Sequence, residues 1–127
     1  MAKSVGGGLK GGREYITRSE EYAFVHSKGR SWVCKLVVMR ALPNGLGTSR
    51  CGFSVSKKVG KAVTRNRVKR LFREIVRQAP LRAGWDIIFI ARPAAATANY
   101  ADLKKSIEDL LSRASLLEDK TLQPLDQ

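Results

Sequence analysis

The sequence predicts an α+β fold in which one small mixed sheet packs against three helices. Residues 64–79 and 99–117 gather apolar side chains on one face when successive residues are placed about 100° apart, as in half-buried helices. Residues 33–42, 50–56 and 85–91 are rich in apolar and β-branched residues, as in strands. With a short helix near the N-terminus, the order is helix, strand, strand, helix, strand, helix, which is typical of helices packed against one sheet.

The chain is long enough for one domain, predicted over residues 13–117, and needs no second one. Residues 1–12 are basic, rich in glycine and without periodicity, so we expect a flexible tail. The first helix is predicted to begin at Ser19 as the N-cap and to stop at Gly29. Its helical spacing brings three side chains to one side: Tyr22, Val25 and His26.

The first two predicted strands flank a segment of turn-forming residues. Residues 33–42 are apolar on both faces, which indicates a strand covered on both sides for most of its length. Residues 43–49 have turn chemistry, so we expect the strands on either side to form a hairpin. In the second strand Cys51, Phe53 and Val55 face one way, and the small residues Gly52, Ser54 and Ser56 face the other.

The second half of the chain contains a strand-helix-strand crossover and a final helix. The helix that follows residue 64 ends near Ala79 because Pro80 cannot continue it, and residues 85–91 form an apolar third strand. The last helix begins at Asn99 with Asp102 in the capping-box position. Its buried face is predicted to comprise Leu103, Ile107, Leu110, Leu111, Ala114 and Leu117. Residues 118–127 are expected to be frayed.

The net charge favours a polyanionic partner. A formal charge of +13 would drive a compact protein apart by self-repulsion unless a polyanion neutralises it, and nucleic acid is the leading candidate. Membrane binding would require a long apolar span or an amphipathic helix with bulky outward residues, and the sequence contains neither. The N-terminus has no apolar core for a signal peptide, so we expect a cytoplasmic protein with no small-molecule substrate.

Most of the net positive charge lies in one basic segment, residues 57–77. On the helix face opposite the apolar one, Asn66, Arg70, Arg73 and Arg77 form a stripe, with Arg65, Arg67 and Lys69 at its flanks. Cations in the first turns are unfavourable for the helix itself, because the macrodipole is positive there. The helix N-terminus and the preceding loop, with Lys57, Lys58 and Lys61, therefore predict a phosphate site.

The sequence contains no catalytic constellation and no metal site. The acidic residues are explained by helix caps, solvated faces and tails, and Asp86, at a strand start, is predicted to be structural. Cys34 and Cys51 lack companions at metal-ligand spacing and are interpreted as small buried residues within strands. Tyr22 and His26, one turn apart, either stack on unpaired bases or pack the first helix onto the sheet.

Residues 52–74, from Gly52 to Glu74 with the core Arg65-Asn66-Arg67, closely resemble the signature segment of the bacterial ribonuclease P protein subunit. The resemblance implies an α/β sandwich with a left-handed strand-helix-strand crossover, an exception to the usual rule. It also implies a catalytic RNA subunit that holds the active site with its Mg²⁺, while the protein binds no metal and has no catalytic residue. The second partner that it implies is the 5′ leader of precursor tRNA.

The resemblance assigns roles to individual residues. Contacts with the catalytic RNA are expected from Lys57, Lys58, Lys61, Arg65, Asn66, Arg67, Lys69, Arg70 and Arg73, and the charge stripe adds Arg77. The leader is expected in a cleft between the first helix and the sheet, near Tyr22, His26, Ser54 and Ser56. The expected function is removal of the leader to give the mature tRNA 5′ end. The alternative is a ribosomal-type or general RNA-binding protein with no role in cleavage.

Overall fold

The structure, a computed structural model, describes residues 14–16 and 19–117. Within these residues the elements are β1 Glu14–Tyr15, α1 Ser19–Lys28, β2 Arg30–Val33, β3 Val37–Pro43, β4 Arg50–Ser54, α2 Ala62–Gln78, β5 Trp85–Ala91, a 3₁₀ helix Pro93–Thr97 and α3 Tyr100–Arg113. The predicted tails, residues 1–12 and 118–127, lie outside the described residues. The division of the chain into one domain and two tails therefore stays a prediction.

The strands form one mixed sheet, which confirms the predicted fold class. Their order is β1-β4-β5-β3-β2, with parallel pairing from β1 to β5 and antiparallel pairing from β5 to β2. Because β4 and β5 are parallel neighbours, α2 is the crossover between them, as the order of elements predicted. The left hand of this crossover stays a prediction from the resemblance.

The predicted hairpin between the first two strands is wrong. β3 and β4 flank the turn residues, but β5 lies between them and pairs with both: Asp86 is opposite Leu42 on one side and Arg50 on the other. Turn chemistry shows only that the chain reverses after Pro43. Which strands become neighbours is decided by the packing of apolar faces from distant segments.

Two predicted strand boundaries are also wrong. Residues 33–42 contain the end of β2, a tight turn and most of β3, and the Cys34 N–H donates to the Val37 oxygen across the turn at 2.9 Å. The turn lacks glycine, proline, asparagine and aspartate, so it gave no signal, and Cys34 lies in it rather than in a strand. The strand predicted for residues 50–56 ends at Ser54.

α2 and α3 cover one face of the sheet, where the main core lies. The buried side chains of α2 are Val68, Phe72, Ile75 and Val76, and those of α3 are Leu103, Ile107, Leu110 and Leu111, all on the predicted faces. Asn99 caps α3 as predicted, because its side-chain oxygen accepts the Asp102 N–H at 2.8 Å. However, α3 ends at Arg113 rather than continuing to Leu117, since Ser115 has a positive φ of 59°.

α1 packs on the opposite face of the sheet, so the described part of the chain forms a three-layer sandwich. Val25 is fully buried and faces the sheet, where Ile88 is also fully buried. At the end of the helix Gly29 comes so close to β3 that a Cβ atom there would lie 2.6 Å from the Val25 oxygen and 3.0 Å from the Ala41 oxygen. Glycine therefore permits α1 to lie directly on the sheet.

Candidate nucleic-acid interface

The N-terminus of α2 is an uncapped, basic helix end. Its N-cap residue, Lys61, makes no side-chain hydrogen bond to the first turn, and that turn contains no acidic residue. The side chain of Val63 is 82% exposed, so the helix end faces solvent. Free first-turn N–H groups and the positive end of the helix dipole together favour a bound anion.

The loop before α2 is compact and presents its lysines outward. The Val59 N–H donates to the Ser56 oxygen at 3.0 Å, and the Gly60 N–H donates to the Lys57 oxygen at 3.2 Å. Val59 is only 4% exposed and anchors the loop in the core. The predicted loop lysines, Lys57, Lys58 and Lys61, are all exposed beside the start of α2.

The outward stripe of α2 continues this basic surface. Asn66, Arg70 and Arg73 are exposed, and Lys69 is half-buried. Arg77, at the far end, forms an ion pair with Glu74 at 2.7 Å. Their hydrogen bonding raises the pKa of Arg77 and lowers the pKa of the Glu74 carboxyl. The charge of Arg77 is therefore partly balanced by an acid on the same helix.

Two arginines of the predicted set also hold the fold. The Arg65 Nε donates to the Gly60 oxygen at 3.1 Å and fixes the loop to the helix. The Arg67 guanidinium donates to the main-chain oxygens of Ala96 and Ala98, which ties α2 to the 3₁₀ helix and the start of α3. Both guanidinium groups are half-buried, so they have a structural role whatever else they contact.

A second candidate surface is the cleft beside α1 on the other face of the sheet. Ser54, Ile90 and Val38 are cross-strand neighbours on that face, and all three are half-buried. The neighbouring row of cross-strand residues contains Gly52, two residues before Ser54 on the same face, and is covered by α1. A Cβ atom added to Gly52 would lie 3.6 Å from Cδ2 of Tyr22. The row with Ser54 is therefore the open floor of the cleft.

The two candidate aromatic rings lie together on α1. The rings of Tyr22 and His26 are stacked, with centroids 6.2 Å apart and an angle of 19° between their planes. Tyr22 is half-buried and His26 is exposed, so Val25 alone fills the fully buried position expected on this side of the helix. Ser56, in contrast, lies beyond the end of β4, and its hydroxyl accepts the Lys58 N–H at 3.3 Å.

An ion-pair network that sequence reasoning missed holds α1 to the sheet. Arg50 on β4 donates to both carboxylate oxygens of Asp86 at 2.8 and 2.6 Å and to Glu21 of α1 at 3.0 Å. Asp86 also accepts a hydrogen bond from Asn44 at 2.8 Å and is only 6% exposed, as its predicted structural role requires. These bonds, above all those to Asp86, raise the pKa of Arg50 well above its ordinary value.

The remaining candidates for chemistry have ordinary structural surroundings. Cys34 and Cys51 are thiols that are not joined in a disulfide; Cys51 is fully buried, whereas Cys34 is half-buried and lies 3.3 Å from a carboxylate oxygen of Asp109. Among residues 14–16 and 19–117, no three His, Cys, Asp or Glu side chains lie close enough together to hold a metal ion. No helix in the described part of the chain is long and apolar enough to cross a membrane.

Comparison with known proteins gives a consistent result. Residues 12–115 match the family model described as "Ribonuclease P". The chain is 50% identical over 102 residues to the ribonuclease P protein component of Dehalococcoides mccartyi, covering 80% of this chain and 85% of that protein. It is 45% identical over 113 residues to that of Caldanaerobacter subterraneus, covering 85% and 97%. The solved structure of the Staphylococcus aureus RNase P protein superposes with a TM-score of 0.74 at 32% identity, covering 86% of this chain and 100% of that one.

The matched segment includes every element from which the two candidate surfaces are built, from β1 through α3. Between 85% and 100% of each of these relatives is covered, so the match extends over most of their length rather than a short fragment. Together with the mixed sheet and the basic crossover helix, these findings assign the chain to a family: it belongs to the ribonuclease P protein components, the protein part of an endoribonuclease complex that processes tRNA.

Proposed function

We propose that the chain binds the catalytic RNA of ribonuclease P through its basic helix and the 5′ leader of precursor tRNA through the cleft beside α1. The observation that carries the proposal is the uncapped N-terminus of α2, which has no acid in its first turn and is flanked by the exposed Lys57, Lys58 and Lys61. RNA phosphates are the anions that such a surface fits. Arg65, Asn66, Arg67, Lys69, Arg70, Arg73 and Arg77 would extend the contact along the helix.

The cleft suits a single strand rather than a duplex. Its floor, formed by Ser54, Ile90 and Val38, lies one row along the sheet from Gly52, where Tyr22, stacked on His26, covers the sheet. Proteins read single-stranded RNA by stacking unpaired bases on such rings, whereas the bases of a duplex are already stacked on one another. An unpaired leader, running past the end of β4 toward Lys57 and Lys58, would reach the basic loop.

In this proposal the protein positions the substrate and the RNA performs phosphodiester hydrolysis. Mg²⁺ would be held mainly by the RNA and would supply a nucleophile or stabilise the leaving oxygen there. The side chains of this chain would neutralise RNA phosphates near that centre, which lowers the repulsion between substrate and catalytic RNA. The complex would act in the cytoplasm, where bacterial precursor tRNA is transcribed.

The decisive experiment is a reconstitution with precursor tRNA at low Mg²⁺ concentration. Cleavage at the mature 5′ end is expected with RNA and protein together, and none with the protein by itself; cleavage by the protein without RNA would overturn the proposal. The affinity of the assembled complex should also be higher for precursor than for mature tRNA. Equal affinities would favour the alternative, a general RNA-binding protein with no part in cleavage.

A further inference from the structure

A separate groove lies between the edge strand β1 and the helix α2. It encloses about 300 Å³ and is lined by Tyr15, Ile16 and Phe53 on the sheet side and by Lys69 and Arg73 on the helix side. None of the described residues that line it is acidic. The groove thus combines aromatic rings with two cations, the combination that binds single nucleotides of unpaired RNA.

The rings of this groove are held in place by the core. Phe53 stacks on Phe89 with centroids 6.1 Å apart and also contacts Phe72 at 6.0 Å. Tyr15 rests on the outer side of Phe53 with centroids 5.9 Å apart, yet 41% of its surface stays exposed. An exposed ring that is already ordered loses little conformational entropy when a base stacks on it.

The backbone explains why Tyr15 is in this position. β1 pairs with β4 in parallel, with Tyr15 opposite Cys51, and the Ile16 N–H donates to the Cys51 oxygen at 2.8 Å. This short edge strand places the Tyr15 ring on the α2 face of the sheet, the face of Cys51 and Phe53. The cleft beside α1 opens on the opposite face.

We propose that this groove binds one unpaired nucleotide of the RNA subunit, with its base against Tyr15 and its phosphate near Lys69 and Arg73. The RNA subunit is the source because Tyr15 and Phe53 contact the core on the α2 face, next to Lys69 and Arg73 of the basic helix, whereas Tyr22 of the proposed leader site lies across the sheet. The nucleotide must be unpaired, since a base within an A-form helix cannot reach an aromatic ring. This inference rests on the proposed function.

The test compares Tyr15→Leu with Tyr15→Phe in binding to the isolated RNA subunit. Leucine keeps an apolar contact with Phe53 but cannot stack on a base, so Tyr15→Leu should bind roughly tenfold more weakly with an unchanged salt dependence. Tyr15→Phe should bind within about twofold of the wild type. Normal binding by Tyr15→Leu, or an equal loss in both variants, would overturn the inference.

A second measurement identifies the bound nucleotide even if Tyr15→Leu folds poorly. A photoreactive benzoyl-phenylalanine at position 15 should cross-link to an unpaired nucleotide of the RNA subunit in the holoenzyme. Cross-links only to the leader, or none, would contradict the proposal. Arg70→Ala distinguishes failure of the groove proposal from failure of the proposed function. If Arg70→Ala and Tyr15→Leu both bind the RNA subunit normally, the proposed function fails. If Arg70→Ala binds weakly while Tyr15→Leu binds normally, only the groove proposal is excluded.

Discussion

Arg67, in the N-terminal half of the basic helix α2, donates a hydrogen bond from its guanidinium to the main-chain oxygen of Ala98, 31 residues further along the chain. A second bond reaches the Ala96 oxygen at 3.3 Å. Arg67 is half-buried, whereas Arg70, one turn further along α2, is exposed. Adjacent cations of one motif therefore have different roles: Arg67 joins α2 to the segment before α3, and Arg70 is available to a partner.

Arg67→Ala should lower the stability of the protein. The variant leaves the oxygen of Ala98, a residue that is only 5% exposed, without its partner. Loss of a partner by a buried polar group costs roughly 1–3 kcal/mol, so the urea midpoint should fall measurably. Arg70→Ala is the matched control and should unfold like the wild type. Identical midpoints for both variants would mean that the hydrogen bonds of Arg67 contribute nothing to stability.

Arg70→Ala should instead weaken binding to the RNA subunit and reduce its salt dependence. An arginine that contacts one phosphate releases about one condensed counterion, so the slope of log K against log salt should change by about 0.7–0.9. Titrations at several salt concentrations measure this slope. Lys105→Ala removes an exposed cation from α3 and controls for net charge. An equal change of slope in both variants would show that the salt dependence reflects the total charge of the protein rather than a phosphate contact by Arg70.

Helical periodicity was enough to predict α2 and its core face. Val68, Phe72, Ile75 and Val76 are all buried, because the 3.6-residue repeat is a local property of the chain. The same repeat could not distinguish Arg67 from Arg70, since the acceptors of Arg67 lie about thirty residues away in sequence. The resemblance identified both as members of the motif but said nothing about their different surroundings.

The strand order could not be predicted, because it depends on contacts between distant segments. β5 lies between β3 and β4, with Phe89 opposite Met39 on one side and Phe53 on the other. These large side chains pack together on the core face of the sheet, and residues that form a local turn do not determine this arrangement of strands. β1 has only two residues, too few for any alternation, so the groove beside Tyr15 also had no sequence signal.

Tyr22→Ala should reduce the affinity of the holoenzyme for precursor tRNA but not for mature tRNA. Loss of a base stacked on an aromatic ring costs about 1–3 kcal/mol, and Tyr22→Phe should keep most of that contact. Phe24→Ala is a suitable control, because Phe24 is 56% exposed but lies beside Arg50 and Asp86 on another side of α1. If Tyr22→Ala lowers the affinity for precursor and mature tRNA equally, the role of Tyr22 is to pack α1 on the sheet.

Cys34 should react slowly with iodoacetamide at neutral pH. Burial and the neighbouring Asp109 carboxylate raise the pKa of the thiol, although Arg113 opposes the effect, and only the thiolate is nucleophilic. The alkylation rate of Cys34 should therefore increase over a higher pH range than the rate of an unstructured cysteine. Asp109→Asn should shift the dependence of this rate on pH to lower pH, because the substitution removes a negative charge that favours the neutral thiol. Cys34→Ser provides the baseline, and an unshifted profile in Asp109→Asn would exclude the carboxylate as a cause.

Arg50→Ala should be the most destabilising of these substitutions. It leaves the carboxylate of Asp86, which is 6% exposed, without a cation and separates Glu21 of α1 from the sheet. Removing one partner of a buried ion pair costs about 3–5 kcal/mol. The hydrogen bond from Asn44 remains, so the loss should lie near the lower limit, as urea unfolding would measure. Adding Asp86→Asn should recover part of it, because the buried charge is then absent.

Glu21→Gln tests the link to α1 separately from the buried pair. The Arg50–Asp86 bonds remain in this variant, so stability should fall by about 1 kcal/mol or less, as expected for a partly exposed pair. The orientation of α1 over the cleft should nevertheless be less constrained, because Glu21 precedes Tyr22 directly. We therefore expect a smaller preference for precursor over mature tRNA without a change in affinity for the RNA subunit. An unchanged preference would show that Val25 and Gly29 alone fix the helix on the sheet.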